Sequence, residues 1–318
     1  MPRPLFCLFV LLFVPEVTHP MPDFDSLWDY TQPADTETRF RALLPEVEDN
    51  PSAHAQLLTQ IARAQGLQGK SQEAHATLDE AEGIIASIAD DPARAVAHVR
   101  LLLERGRAHN GTPRPYDAND ERATRARPFF MQAWEAARAA GEDGYAVDAA
   151  HMLAIVASPD SAQTWNYRAL AVAEQSQQPH ARRWLGSLHN NIGWTHFDLA
   201  EYPQALDQFE RALSVRRRQG DETAIRIARW SVAKALRFLD RTTEALSIQR
   251  ALLQAYQDDG ESDAYVFEEM AECLLAMGQP QQAKQYFGLA YQALSRDAWF
   301  VDNQPDRLER LRELSREE

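Results

Sequence analysis

The sequence predicts an all-α solenoid of about six stacked helical hairpins with a capping helix at each end. Three observations predict it. A small residue recurs at Ala62, Gly106, Ala150, Gly193, Ala233 and Ala271, at intervals of 44, 44, 43, 40 and 38 residues. Each is followed by an Ala-x-x-x-(bulky)-x-x-(small) signature. The copies are Ala74-Leu78-Ala81, Ala126-Phe130-Ala133, Ala162-Asn166-Ala169, Ala205-Phe209-Ala212, Ala245-Gln249-Leu252 and Ala283-Phe287-Ala290. The composition is rich in Ala, Leu, Gln, Glu and Arg, which are good helix formers, and β-branched alternation is nearly absent. Self-similarity at this period marks hairpins that bury their apolar faces only against their neighbours.

The signature has a packing rationale. A small residue lets two helices cross at the short end of the usual spacing. The bulky residue four positions after the Ala lies on the same helix face and fills the gap beside it.

In chain order, Leu5 to Val14 is an apolar run of 10 residues, long enough for the core of a signal peptide and too short to span a bilayer. Two readings stay open. Residues 1–20 are an export signal, or translation starts at Met21 and the protein is cytoplasmic. Residues 21–50 read as an N-terminal helical cap, with Phe40, Leu43 and Leu44 covering the first repeat. Residues 51–295 form the repeat array. Asn50-Pro51, Asp91-Pro92 and Ser158-Pro159 read as helix starts. Gly66 reads as a helix end and Ser71 as the cap of the next helix. Gly141, Gly220 and Gly260 punctuate later helix ends. The stretch from Gly111 to Ala123 interrupts the second repeat with two prolines and must loop out as a spacer or a binding loop. Thr124 then reads as a helix cap, which places Pro128 in a first turn. Residues 296–318 form a C-terminal cap, with Leu308, Leu311 and Leu314 on one face.

The run NNIGWTHFDLAEYPQALDQFERAL from Asn190 to Leu213 resembles a tetratricopeptide repeat. So does FEEMAECLLAMGQPQQAKQYFGLAYQAL from Phe267 to Leu294. VDAAHMLAIV, VFEEMAECLLAMG and DRLERLREL are similar to stretches of a set of uncharacterised bacterial tetratricopeptide-repeat proteins, a likeness that implies a fold and no activity. The resemblance implies a right-handed α-solenoid; since the family's unit is usually about 34 residues, the longer period here implies helices about a turn longer each. It also implies a protein- or peptide-binding role through a concave groove lined by the first helix of each hairpin. Asn166 and Gln249 depart from the pattern, because a large apolar residue is usual there.

On that register the residue after each small landmark faces the groove: Arg63, Arg107, His151, Trp194, Lys234 and Glu272. Asn190, Phe197, Trp230, Arg237 and Glu268 share the face. Five of these eleven residues are basic and three are aromatic. An extended acidic peptide or a carboxylate terminus suits such a lining, with Asn190 placed to hydrogen-bond a peptide backbone. Exposed solubility residues are the alternative reading of the same cations.

Other chemistry is poorly supported. The net charge is −14, which disfavours nucleic acid as a partner. The two cysteines, Cys7 and Cys273, build neither a disulfide framework nor a zinc site. Gly69-Lys70-Ser71 lacks the preceding strand and first glycine of a phosphate loop. His189 and His196 read as packed structural residues. Glu268 and Glu272, four apart, read as a solvated stripe rather than an acid–base pair. Asn110-Gly111-Thr112 is a formal glycosylation sequon. No catalytic residue, metal or cofactor is expected, and no stable membrane insertion. The expected function is a non-catalytic adaptor or scaffold. The alternative is a homo-oligomerising module whose aromatics mediate self-association.

Overall fold

A computed structural model describes residues 23–89, 92–111 and 119–316, and among them there are helices and no strands. The apolar leader, most of the insertion and the sequon's Thr112 lie outside the described residues. A single 3-10 turn, Phe24–Leu27, precedes helices α1, Pro33–Ala42, and α2, Leu44–Val47. Six hairpins follow. They pair α3, Pro51–Leu67, with α4, Ser71–Ser87; α5, Pro92–Asn110, with α6, Glu121–Ala140; and α7, Asp143–Ile155, with α8, Pro159–Gln175. A short α9, Pro179–Arg182, leads into α10, Leu185–Asp198, and its mate α11, Tyr202–Gln219. Then α12, Glu222–Phe238, pairs with α13, Thr242–Asp258, and α14, Ala264–Ala276, with α15, Pro280–Leu294. α16, Ala298–Asn303, and α17, Pro305–Leu314, follow, with α17 packed on α15.

The small landmarks sit where the sequence places them. A Cβ on Gly106 would fall 2.4 Å from Phe130, and one on Gly193 would fall 2.5 Å from Phe209. Ala74, Ala126, Ala205, Ala245 and Ala283 are all buried, as are Leu78, Phe130, Phe209 and Phe287. The long period has a cause in helix length only in part: α5 has 19 residues and α6 has 20, but α7 and α14 have 13 and α10 has 14. Not every helix is lengthened, and the interval from Ala150 to Gly193 is filled out by the extra α9.

The helix ends follow some of the local signals and not others. Asn50 caps α3 through its side chain, accepting from the Ala53 amide at 3.0 Å. Gly141, Gly220 and Gly260 adopt left-handed φ near +71 to +77° at helix ends. Gly66 does not end α3, which runs on to Leu67; Gly69, at φ +76°, makes the turn instead. Ser71 is the first residue of α4, and no side chain caps that helix. Thr124 is not a cap either. Asp120 accepts from the Arg122 amide and starts α6 earlier, at Glu121. Pro128 therefore lies inside α6, on its exposed side, where the missing N–H faces solvent rather than core.

Successive first helices approach one another, α3 with α5, α5 with α7 and α12 with α14, and the second helices make no comparable approach. The first-helix layer is therefore the inside of the curve. No helix among the described residues is long and apolar enough to cross a membrane.

Candidate functional site

A simple rule links the first helices. The residue one after a landmark meets the residue two before the next landmark. Arg63 pairs with Glu104 at 3.4 Å. Arg107 bonds Asp148. The Asn191 amide donates toward His151 Nδ1 at 3.5 Å. Lys234 reaches Glu269 at 3.6 Å, and Arg237 binds the same carboxylate at 2.5 Å. The last step runs into α17, where Arg310 bonds Glu272 and Arg307 grips Glu268 at 2.6 Å. The fourth step departs from the rule and is apolar: Trp194 packs at 5.9 Å between ring centres against Trp230, three residues before Ala233 rather than two.

This rule changes what the groove offers. The cations of the sequence-based candidate set are not free charges. Arg63, Arg107, Lys234 and Arg237 each hold a carboxylate of the next repeat. Burial alone would lower the Arg107 pKa, but the Asp148 and Glu104 carboxylates outweigh it and hold it above its ordinary value. Burial likewise pulls Asp148 up, and Arg107 and Arg63 more than offset this, so its carboxyl sits below the usual range. Glu268 and Glu272 are likewise covered, by α17. Sequence reasoning missed Glu104, Asp148 and Glu269, although all three stand two residues before a landmark and could have been found on that spacing. Asn190 is placed differently from its expected role. Its carbonyl oxygen is buried without a partner, so that oxygen is not offered to a peptide.

The aromatic candidates do converge. Trp194 lies against Phe197 and Phe209, and Phe197 packs edge-on against Phe238 at 4.8 Å. Trp230 continues the row to Tyr265 at 6.2 Å, and Tyr265 to Phe300 at 6.4 Å. The Trp230 indole N–H donates to the Tyr265 carbonyl at 3.0 Å, which fixes the ring across two repeats. The Lys234 ammonium sits 5.1 Å from the Trp230 ring centre. Beside this row is a cavity of about 210 Å³ lined by Ile227, Trp230, Tyr256, Tyr265 and Val266, with Arg226 and Asp263. Ile227 and Tyr265 are exposed there. A larger cavity of about 630 Å³ lies at the turn end of the first two hairpins, against Arg63, His75, Glu104, Arg107, Arg122 and Arg125.

Among the described residues no set of three His, Cys, Asp or Glu side chains could hold a metal ion. His189 is buried and bonded to Gln208 at 2.8 Å; His196 lies between Tyr167 and Glu201. These are packing contacts between helices.

No family model matches the chain, and no curated protein matches it in sequence. Solved structures do match. A signal-transduction ATPase of the STAND class with a tetratricopeptide repeat sensor, from Pyrococcus horikoshii, superposes with a TM-score of 0.61 at 15% identity. The match covers 90% of this chain and 44% of that one, so this chain spans less than half of that protein. The apo form of RapI gives 0.62 at 11% identity over 86% of this chain and 76% of that one. Aspartyl phosphate phosphatase F from Bacillus subtilis gives 0.53 at 15% identity, over 89% and 76%. The fold is that of a tetratricopeptide-repeat solenoid.

Proposed function

We propose that this protein is a non-catalytic adaptor that binds a protein or peptide along its concave face. The observation that carries this reading is the aromatic row from Trp194 through Trp230 to Tyr265, with the cavity beside it. Fixed rings on three successive first helices offer apolar contact at low entropic cost, as binding surfaces do. Because the neighbouring cations are already paired, aromatic contact rather than free charge supplies the affinity. The likeness in fold to a protein described as carrying a tetratricopeptide repeat sensor supports the same class of role.

The test places a photo-crosslinking residue at Trp230 in one variant and at Glu210, on a second helix, in another. A partner captured from native lysate at the first position and not at the second supports the groove. Equal capture at both positions overturns it.

A second reading, self-association, is favoured by one feature. Leu199, Phe238 and Met277 stand at the ends of three successive first helices, α10, α12 and α14, and all are exposed, forming an apolar rim at the hairpin turns of the C-terminal half. Sedimentation equilibrium decides: a stable dimer that Phe238→Ser and Met277→Ser together dissociate favours assembly, and a monomer favours the adaptor.

A further inference from the structure

The stretch Asp23 to Tyr30, reading DFDSLWDY, carries three carboxylates, three aromatic rings and no cation. It does not stay over the first repeat. Trp28 donates its indole N–H to Gln60 of α3 at 2.9 Å and stacks on Tyr30 at 4.8 Å. The Arg63 guanidinium, at a groove position, lies 5.5 Å and 5.4 Å from those two rings. Phe24 is buried in the same core as α3 and α5 residues Leu57, Ala97 and Leu101. Asp25 reaches further still. Both its oxygens accept from Arg100 of α5, at 3.1 and 3.2 Å. It lies 4.0 Å from His180 of α9 and 3.9 Å from Arg183 just beyond. One eight-residue stretch thus touches first-layer elements from the first hairpin to the approach of the fourth.

Arg100 is the telling residue. It is buried, and its hydrogen-bond partners among the described residues are Asp25 and the Tyr145 hydroxyl. Take Asp25 away and a mostly buried guanidinium is left with a neutral phenol, an unfavourable state. This site demands a carboxylate, with aromatic neighbours close by.

We propose that residues 23–30 are an intramolecular occupant of the concave face, and that the N-terminal half of the groove recognises acidic peptides with aromatic anchors of this kind, which compete with the tethered copy. This deepens the groove reading given above and rests on it. The occupant's chemistry states the partner's: a carboxylate for Arg100, and an indole or phenol for Arg63. Tethering keeps the internal copy at an effective concentration on the order of millimolar, so a partner in trans meets an occupied site. The fold then has two groove segments, an occupied one over α3 to α9 and an open one at Trp194 to Tyr265.

The experiment uses the full chain and a fluorescein-labelled synthetic peptide of residues 22–31, followed by anisotropy. In a full-length variant carrying Asp25→Asn and Trp28→Ala, the internal copy is weakened and the peptide should bind at least tenfold tighter than to the unaltered protein. Adding Arg100→Ala to that variant should reverse the gain by tenfold or more. Equal binding to the unaltered and double-substituted proteins, or none to either while both melt cooperatively, overturns the proposal. Should the double variant fold poorly, Asp25→Asn alone is the replacement, with a gain of at least threefold expected and no gain overturning the proposal. Hydrogen exchange on the unaltered protein gives an independent reading. Amides of residues 24–30 should exchange at least 100-fold faster than those of α5, through local opening. Protection equal to α5 would make the stretch a permanent part of the core and would also overturn the proposal. The Trp230 crosslink reports on the other half of the groove, so either result can fail alone.

Discussion

The Phe209 ring occupies the space where a side chain on Gly193 would be: a Cβ there would lie 2.5 Å from Phe209 Cε1 and 2.6 Å from Cδ1. Phe209 is fully buried, so the ring has nowhere to swing. Gly193→Ala gains about 1 kcal/mol of helix propensity and loses more to overpacking, which costs about 1–3 kcal/mol. A net loss of up to about 2 kcal/mol in urea unfolding is expected, relieved when Phe209→Leu is added. Gly83→Ala is the control, since nothing lies within 4 Å of its Cβ. It should gain about 0.5–1 kcal/mol. If Gly193→Ala stabilises as Gly83→Ala does, the close crossing is not real.

Gln249 holds the bulky-residue position of the fifth hairpin. It is fully buried, and neither its amide oxygen nor its nitrogen has a hydrogen-bond partner. An unpaired buried amide costs about 1–3 kcal/mol in proteins. Gln249→Met keeps the length and removes the polar atoms. It should raise stability by about 1–2 kcal/mol, seen as a higher urea midpoint at unchanged slope. A lower midpoint would mean that the amide is satisfied in solution.

These two positions show what the sequence reveals and what it hides. Gly193 with Phe209 was legible because helix crossings repeat, and repetition shows in one chain. Gln249 was legible as a departure from the pattern. The pairing of Arg107 with Asp148 was not read, since it joins residues 41 apart across two hairpins. Its signal, an acid two residues before a landmark, is clear only once the helix layers are known. The course of Asp23 to Tyr30 across α3, α5 and α9 was hidden for a stronger reason: an irregular segment has no period to read.

Acid should expose the pairing. The Asp148 carboxyl has its folded pKa depressed by Arg107 and Arg63, and Glu37 is likewise depressed by Gln68, Arg41 and Lys70, burial opposing in both cases. A depressed carboxyl contributes stability that is present above its unfolded value and lost as pH falls through the folded one. The unfolding free energy should therefore be level from about pH 7 to 5 and fall below about pH 4. Asp148→Asn should cost about 3 kcal/mol at pH 7, because Arg107 is left short of a partner, and less at pH 3. An equal cost at both pH values would show that the carboxylate's charge does not matter.

Cys273 lies in α14, fully buried. Burial pushes its thiol pKa up to about 12, and the Glu269 carboxylate adds to the shift. At pH 8 almost no thiolate exists, and the thiolate is the reactive form. Iodoacetamide at pH 8 should leave the Cys273 peptide unmodified in the native protein and alkylate it fully in urea, as mass spectrometry reads. Rapid native labelling would show that α14 opens on its own.

Lys234 and Arg237 look on sequence grounds like surface cations whose removal costs nothing. The structure argues otherwise, because both serve Glu269, which is only 1% exposed. Arg237 gives it two hydrogen bonds, from Nε at 2.5 Å and from a terminal nitrogen at 3.2 Å. Lys234 is the longer contact, at 3.6 Å. Lys234→Ala alone should cost under about 1 kcal/mol, as a loose pair does. Arg237→Ala should cost about 2–3 kcal/mol, and the double variant about 3–5 kcal/mol, because a buried carboxylate is then left unpaired. Adding Glu269→Gln to the double variant should recover at least half of that loss, since the charge to be desolvated is gone. Any loss of partner binding in the double variant must then be judged against the triple variant, in which much of the lost stability is regained and the cations are still absent. If the double variant melts like the unaltered protein, Glu269 finds another partner or water, and the rule linking one repeat to the next does not hold at this step.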